Sequence, residues 1–95
     1  MAFEWHLEKA KSNFDKHGVS FEEAETVFDD PLQVHYPDYT HSIGEQRYIC
    51  IGYSIQGRLI TLAYTEKIPN LFRIVTARLA TRKERTAYES QSDLT

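Results

Sequence analysis

The residues Asp29-Asp30-Pro31 divide this sequence into two kinds of pattern, and that division limits the folds open to it. Proline disfavours helical geometry in the residue before it, so a helix arriving from the N-terminal side ends here. Upstream, apolar residues recur at helical spacing: Leu7, Ala10 and Phe14 in a segment over 5–17, then Ala24, Val27 and Phe28 in a second. Gly18 is placed to end the first helix in a left-handed cap. Ser20 and Glu23 form a capping box for the second, with Val19 and Ala24 as a weak staple. The turn between them is short, which predicts a helical hairpin or corner packed on whatever sheet follows.

Downstream the period becomes two. Leu32, Val34 and Tyr36 alternate with Gln33 and His35 as a first short strand, and PDYTHSIG follows as a loop. Gln46–Tyr53 is a stronger second strand, in which Gly52 marks a bulge or a close approach of another group. Arg58–Glu66 is the third, with Ile60, Leu62 and Tyr64 on one face and Leu59, Thr61, Ala63 and Thr65 on the other. Leu71–Arg78 is the fourth. Their connections imply an antiparallel meander. A last helix starts at Thr81, whose spacing to Glu84 repeats the capping box, and runs through Tyr88, while 89–95 reads as a frayed tail. The expectation is one α+β domain over residues 1–95: two N-terminal helices, a four-stranded antiparallel sheet and a C-terminal helix.

Charge is divided along the same line. Residues 1–45 hold three basic and ten acidic residues, a balance of −7, and residues 46–95 hold eight basic and four acidic, a balance of +4. Such polarity points to a polyanionic ligand for the basic half, and to self-shielding or a basic partner for the acidic half. Cys50, the one cysteine, lies in the apolar run YICIGY and reads as a small buried hydrophobe, which fits a reducing compartment. The charged N-terminus has neither signal-peptide nor membrane-span character, so the expected location is the cytoplasm, with no membrane partner.

Five of the eleven basic residues fall within Leu71–Tyr88. Arg47, Arg58, Arg73 and Arg78 all lie in or at the ends of expected strands, where arginine forks can grip phosphate oxygens in pairs. The other reading of each is edge charge that blocks sheet aggregation. Strict alternation puts Arg73 and Arg78 on opposite faces, so they converge only if the strand twists, bulges or ends between them. Glu66 and His41 are the candidate proton carriers. Tyr48, Tyr53, Tyr64 and Phe72 stack bases if the sheet exposes them and form core if it does not. His35, Asp38 and His41 do not complete a tetrahedral ligand set, and neither a nucleophile elbow nor a glycine-rich phosphate loop is present, so no metal or cofactor is expected.

The blocks KHGVSFEEAETVFDDP at 16–31, His41, Ser42, Gly44, Glu45 and Arg47 in the pattern HS..GE.R, IG at 51–52, GR at 57–58, YTE at 64–66, and the arginine-rich run over 73–88 resemble the BrnT toxins. Thr76 stands where serine is more usual in that run. The resemblance implies a RelE-like fold and a metal-independent endoribonuclease toxin of a type II toxin-antitoxin pair, which blocks translation. It implies a ribbon-helix-helix antitoxin of the BrnA type, through which alone promoter DNA is contacted, and a dimer within that complex. It also assigns Arg73 and Arg78 to the scissile phosphate, Glu66 or His41 to proton transfer, and Arg47, Arg58, Lys83, Arg85 and Tyr88 to the RNA. On that assignment Arg78→Ala leaves folding intact and nearly abolishes toxicity. A toxin homologue without activity, acting as co-repressor or RNA-binding module, is the alternative, and a plain structural domain is a third.

Overall fold

The computed structural model describes residues 1–42 and 44–93. Its elements are β1 (Ala2–Glu4), α1 (Leu7–His17), α2 (Phe21–Glu25) continuing into a 3₁₀ turn (Thr26–Asp29), β2 (Val34–Pro37), β3 (Arg47–Tyr53), β4 (Leu59–Ile68), β5 (Leu71–Leu79) and α3 (Arg82–Asp93). The strands form one sheet in the order β1-β5-β4-β3-β2. The meander of β2 to β5 is antiparallel throughout, as the connections imply. The expected four-stranded antiparallel sheet is corrected in one respect: β1 adds a fifth strand, parallel to β5, pairing Ala2–Glu4 with Leu71–Arg73. Three residues are too few to show a period, and only the tertiary contact with β5 makes them a strand.

The two N-terminal helices cover one face of the sheet. Val19, Phe21, Ala24 and Val27 pack against Cys50, Ile60, Leu62, Tyr64, Ile74 and Ala77. Phe3, Phe28, Tyr64 and Phe72 extend this core as an aromatic cluster, with Phe28 stacked on Phe72 at 5.7 Å. Tyr48 stacks on Tyr64 on the same face. Gly52 sits where the 3₁₀ turn meets β3: a Cβ there would lie 2.9 Å from Val27 Cγ1 and 3.2 Å from Asp30 Oδ2, so close approach is the reason for the glycine. The Cys50 thiol is buried, and its pKa is pushed up to about 12 by burial first and by the Asp30 carboxylate second.

α1 is rotated from the orientation its apolar spacing predicts. Leu7 and Phe14 are 80% and 54% exposed, and the buried residue of the helix is Asn13. β1 covers the outer edge of β5 only as far as Arg73. Beyond it the carboxamide of Asn13 takes the place of a neighbouring strand, donating 2.8 Å to the Ala77 carbonyl and accepting 3.1 Å from the Ala77 N–H. The same nitrogen donates 3.0 Å to the Val19 carbonyl, which ties the α1–α2 corner to the edge. Satisfying these backbone groups outweighs burying Leu7 and Phe14.

Two helix ends differ from the sequence expectation. The second helix tightens to 3₁₀ geometry over Thr26–Asp29 before Pro31. α3 continues to Asp93 instead of fraying from residue 89, and residues 94–95 of the expected tail lie outside the described residues. α3 packs on the other face of the sheet, where Tyr88 meets Ile51 and Leu59. Tyr88 is 5% exposed, and its hydroxyl donates 2.7 Å to Asp30 Oδ2.

Candidate nucleic-acid interface

The sheet face opposite α1 and α2 carries Arg47, Arg73 and Arg78. Pairing between β4 and β5 runs Thr61↔Arg78, Ala63↔Thr76, then Tyr64↔Ile74 and Thr65↔Arg73, so Val75 is an extra residue in β5. This bulge breaks the alternation. Arg73 and Arg78 therefore sit opposite Thr65 and Thr61, two residues on one face of β4. The two rows are four residue steps apart along β4, about 13 Å at the usual rise. Between them runs the row Tyr36, Ile49, Ala63 and Thr76. Tyr36 keeps 40% of its surface exposed and offers an aromatic platform within this row.

At the Arg73 end a cleft is lined by Lys9, His41, Glu45, Arg47, Thr65 and Arg73. His41 Nδ1 is 3.0 Å from Asp38 Oδ2. A carboxylate only accepts, so the ring proton on Nδ1 donates to it and Nε2 is left for other chemistry. Arg47 Nε lies 3.4 Å from the same Asp38 oxygen, and Arg73 Nε donates 2.8 Å to Glu4 Oε2, so β1 positions Arg73. Ser42 secures the loop: its hydroxyl donates 2.6 Å to the Asp38 carbonyl and accepts 2.9 Å from the Arg47 N–H. Arg47 Nε and Thr65 Oγ1 are buried without a hydrogen-bond partner. The Arg47 nitrogen still faces Asp38 Oδ2 at ion-pair distance, so the Thr65 hydroxyl is the atom of the two without any polar partner.

At the other end, Arg78 grips Glu84 as a fork, with nitrogen–oxygen distances of 2.7 and 2.8 Å. Glu84 also accepts from the Thr61 hydroxyl (3.0 Å) and the Thr81 N–H (2.8 Å), completing the expected capping box. The Arg78 guanidinium, with these hydrogen bonds, holds the Glu84 carboxyl at about 2 against the resistance of burial. Burial raises the nearby Tyr36 phenol, Glu84 adds to that rise and Arg78 opposes it, so the three groups share one electrostatic neighbourhood.

The remaining sequence candidates are placed elsewhere. Glu66 lies on the helix-side face, where its carboxylate accepts 3.0 Å from the Asn70 N–H in the β4–β5 turn, and it does not meet Arg73. Arg58 is bound to the buried Glu23, with Nε 2.9 Å from Oε2, and its guanidinium also donates to the Gly18 carbonyl. That pairing pulls the Glu23 carboxyl below its ordinary range and leaves Arg58 clamping α2 to the sheet. Tyr88 is spent on Asp30 and has no face free for a base. Arg85 reaches Tyr53 at 3.1 Å, and Lys83 is exposed on α3. Of the aromatics expected on the sheet, Tyr48, Tyr64 and Phe72 belong to the helix-side cluster. Lys9, Glu45 and Thr65 are cleft residues that the sequence reading did not single out as site residues, and Asp38 stands behind His41 and Arg47. Glu45 stands inside the quoted HS..GE.R pattern, but Lys9 and Thr65 reach the cleft only through the fold.

An α+β domain with a cationic, partly unsatisfied sheet face is the form of a small protein that handles a polyanion. Residues 5–84 match the family model described as the ribonuclease toxin BrnT of type II toxin-antitoxin systems, and the chain belongs to that family. The fold is similar to that of the Brucella abortus ribonuclease toxin BrnT, solved at 1.1 Å, with a TM-score of 0.67 and 19% identity over 86% of this chain and 99% of that one. No curated protein matches the sequence.

Proposed function

We propose that the protein is a metal-independent endoribonuclease that uses the Arg47–Arg73 cleft to cut RNA at its own 2′-hydroxyl and so inhibits translation. The observation that carries this reading is the cleft itself, where two arginines, a histidine held by a carboxylate and a glutamate line the same space as Thr65, whose buried hydroxyl has no hydrogen-bond partner. Glu45 takes the 2′-hydroxyl proton as that oxygen attacks the adjacent phosphorus. Arg47 and Arg73 hold the extra negative charge on the phosphoryl oxygens of the crowded intermediate. His41, kept in place by Asp38, gives a proton to the departing 5′-oxygen, leaving a 2′,3′-cyclic phosphate on one fragment and a 5′-hydroxyl on the other. No step requires a metal, because the nucleophile belongs to the substrate. Arg78 takes a neighbouring phosphate and Tyr36 stacks a base between the two arginine rows.

The partner in this reading is a small ribbon-helix-helix antitoxin of the BrnA type, which neutralises the toxin and alone contacts promoter DNA. Both act in the cytoplasm. No helix among the described residues is long and apolar enough to cross a membrane. The test is purified protein with RNA in EDTA, comparing the parent with Arg73→Ala. The reading expects fragments ending in cyclic phosphate, and a rate reduced roughly 10²–10³-fold in the variant, the usual cost of losing one transition-state donor. Retardation of RNA without cleavage would instead identify a non-catalytic homologue. Equal rates for parent and variant would remove Arg73 from the mechanism.

A further inference from the structure

We propose that the groove between α1 and the bulged edge of β5 is a second phosphate-binding subsite, which carries the sugar-phosphate backbone of single-stranded RNA away from the cleft. It rests on the ribonuclease reading for the identity of the polyanion. The groove is lined by Lys9, Ser12, Lys16 and His17 on one side and by Val75 and Thr76 on the other. Lys9 and Val75 also line the Arg47–Arg73 cleft, so the two depressions adjoin. The α1 residues at 9, 12 and 16 fall at helical spacing on one face, and a phosphate following Lys9 to Lys16 travels about 10 Å along the helix.

Apart from Asn13, whose carboxamide oxygen is taken by the Ala77 N–H, the polar groups of α1 in this groove can donate hydrogen bonds or carry positive charge. Each of the four strand arginines, Arg47, Arg58, Arg73 and Arg78, already has a carboxylate within ion-pair distance. Among the described residues Lys9 and Lys16 have none, and both are exposed. Unpaired lysines are the ones free to release counterions from a bound backbone. Asn13 gives the track its rigidity, since its three hydrogen bonds fix the rotation of α1 that turns Lys9 and Lys16 toward β5. The bulge contributes Val75, the residue shared by the two depressions. A lysine, a hydroxyl and a second lysine read charge and spacing, not base identity, so the subsite binds backbone of any sequence.

The experiment measures binding of a labelled 20-nucleotide 2′-O-methyl RNA, which cannot be cut, to the full chain over a range of salt. Lys9→Gln with Lys16→Gln should weaken binding at least tenfold at low salt and flatten the slope of log K against log salt by about 1.4, at roughly 0.7 per lost phosphate contact. Ser12→Lys should tighten binding and steepen the slope by about 0.7. Lys16→Gln alone should leave the cleavage rate of a trinucleotide, too short to leave the cleft, at the parent value. Unchanged slopes in both the double variant and Ser12→Lys overturn the subsite. So does a loss seen with poly-glutamate and not with RNA, which would assign the groove to an acidic protein segment. A parent that binds the RNA with the expected slopes but cuts nothing overturns the ribonuclease reading and leaves the subsite standing. A parent that cuts, with slopes unmoved in the variants, does the reverse.

Discussion

Asn13 offers the sharpest test of how this fold is held, because one buried side chain replaces a strand. Asn13→Leu keeps the side-chain volume close to that of the parent and removes every polar atom. The Ala77 N–H then loses its acceptor, and the Val19 and Ala77 carbonyls lose a donor, all in a site where Asn13 is only 8% exposed. An unsatisfied buried donor costs about 1–3 kcal/mol, and two carbonyls that lose a typical bond cost about 1 kcal/mol each, giving roughly 3–5 kcal/mol. A domain of this length has a total stability of about 5–15 kcal/mol and shifts its midpoint by about 4–8 °C per kcal/mol, so melting should fall by more than about 12 °C. Urea unfolding of the parent, Asn13→Leu, Leu7→Ala and Phe14→Ala gives the comparison. The two exposed apolar positions should cost less than about 1 kcal/mol each. If Asn13→Leu loses under 1 kcal/mol while Leu7→Ala or Phe14→Ala loses 2 or more, α1 is seated on its apolar stripe and the orientation described is wrong.

Deleting Val75 removes the bulge and leaves Arg73 and Arg78 four residues apart, still opposite Thr65 and Thr61, so regular alternation keeps both on one face and RNA cleavage should stay within about tenfold of the parent; a loss of 100-fold or more in protein whose circular dichroism still shows a folded domain would show that the bulge does more than set their common face. Arg58→Ala leaves the Glu23 carboxylate buried and unpaired, and since Arg58 is 37% exposed the cost is best set at about 2–3 kcal/mol, below that of a fully buried pair. Its RNA salt slope should match the parent, and a slope flattened by about 0.7 would return Arg58 to the RNA. Acid should unfold the protein through Glu84 in particular. Its folded pKa lies below the ordinary value, so the stability it contributes is present above pH 4.5 and is lost as pH falls toward about 2. The shift corresponds to roughly 3 kcal/mol, reduced to about 1–2 because Arg78 is 41% exposed. Glu84→Gln should be less stable at pH 7 and show a shallower decline between pH 5 and 2, and parallel pH profiles would remove Glu84 from the acid transition.

Local chemistry made much of the fold legible. Pro31 ends helical geometry, Gly18 adopts φ 69° as a cap, Ser20 accepts from the Glu23 N–H, and Thr81 with Glu84 forms its capping box, each through contacts between residues a few positions apart. Period-two alternation sorted the faces of β4 correctly, since Ile60, Leu62 and Tyr64 do face the helices. The candidate site was legible in type more than in position. Arginines at phosphate-binding density are visible in the sequence, but Arg58 is matched to Glu23 from thirty-five residues away, and no spacing rule reaches that far.

The order of elements, their caps and the concentration of cations in the second half follow from the sequence by itself, because they depend on short-range geometry and composition. Tertiary structure decided everything that required two distant backbones to compete for the same groups. β1 exists because β5 has an open edge, and Asn13 is buried because that edge continues past β1. Arg73 and Arg78 share a face because β4 pairs with one residue fewer than β5 supplies between Ala63 and Tyr64. A bulge is a property of two strands in register, and neither strand carries it alone.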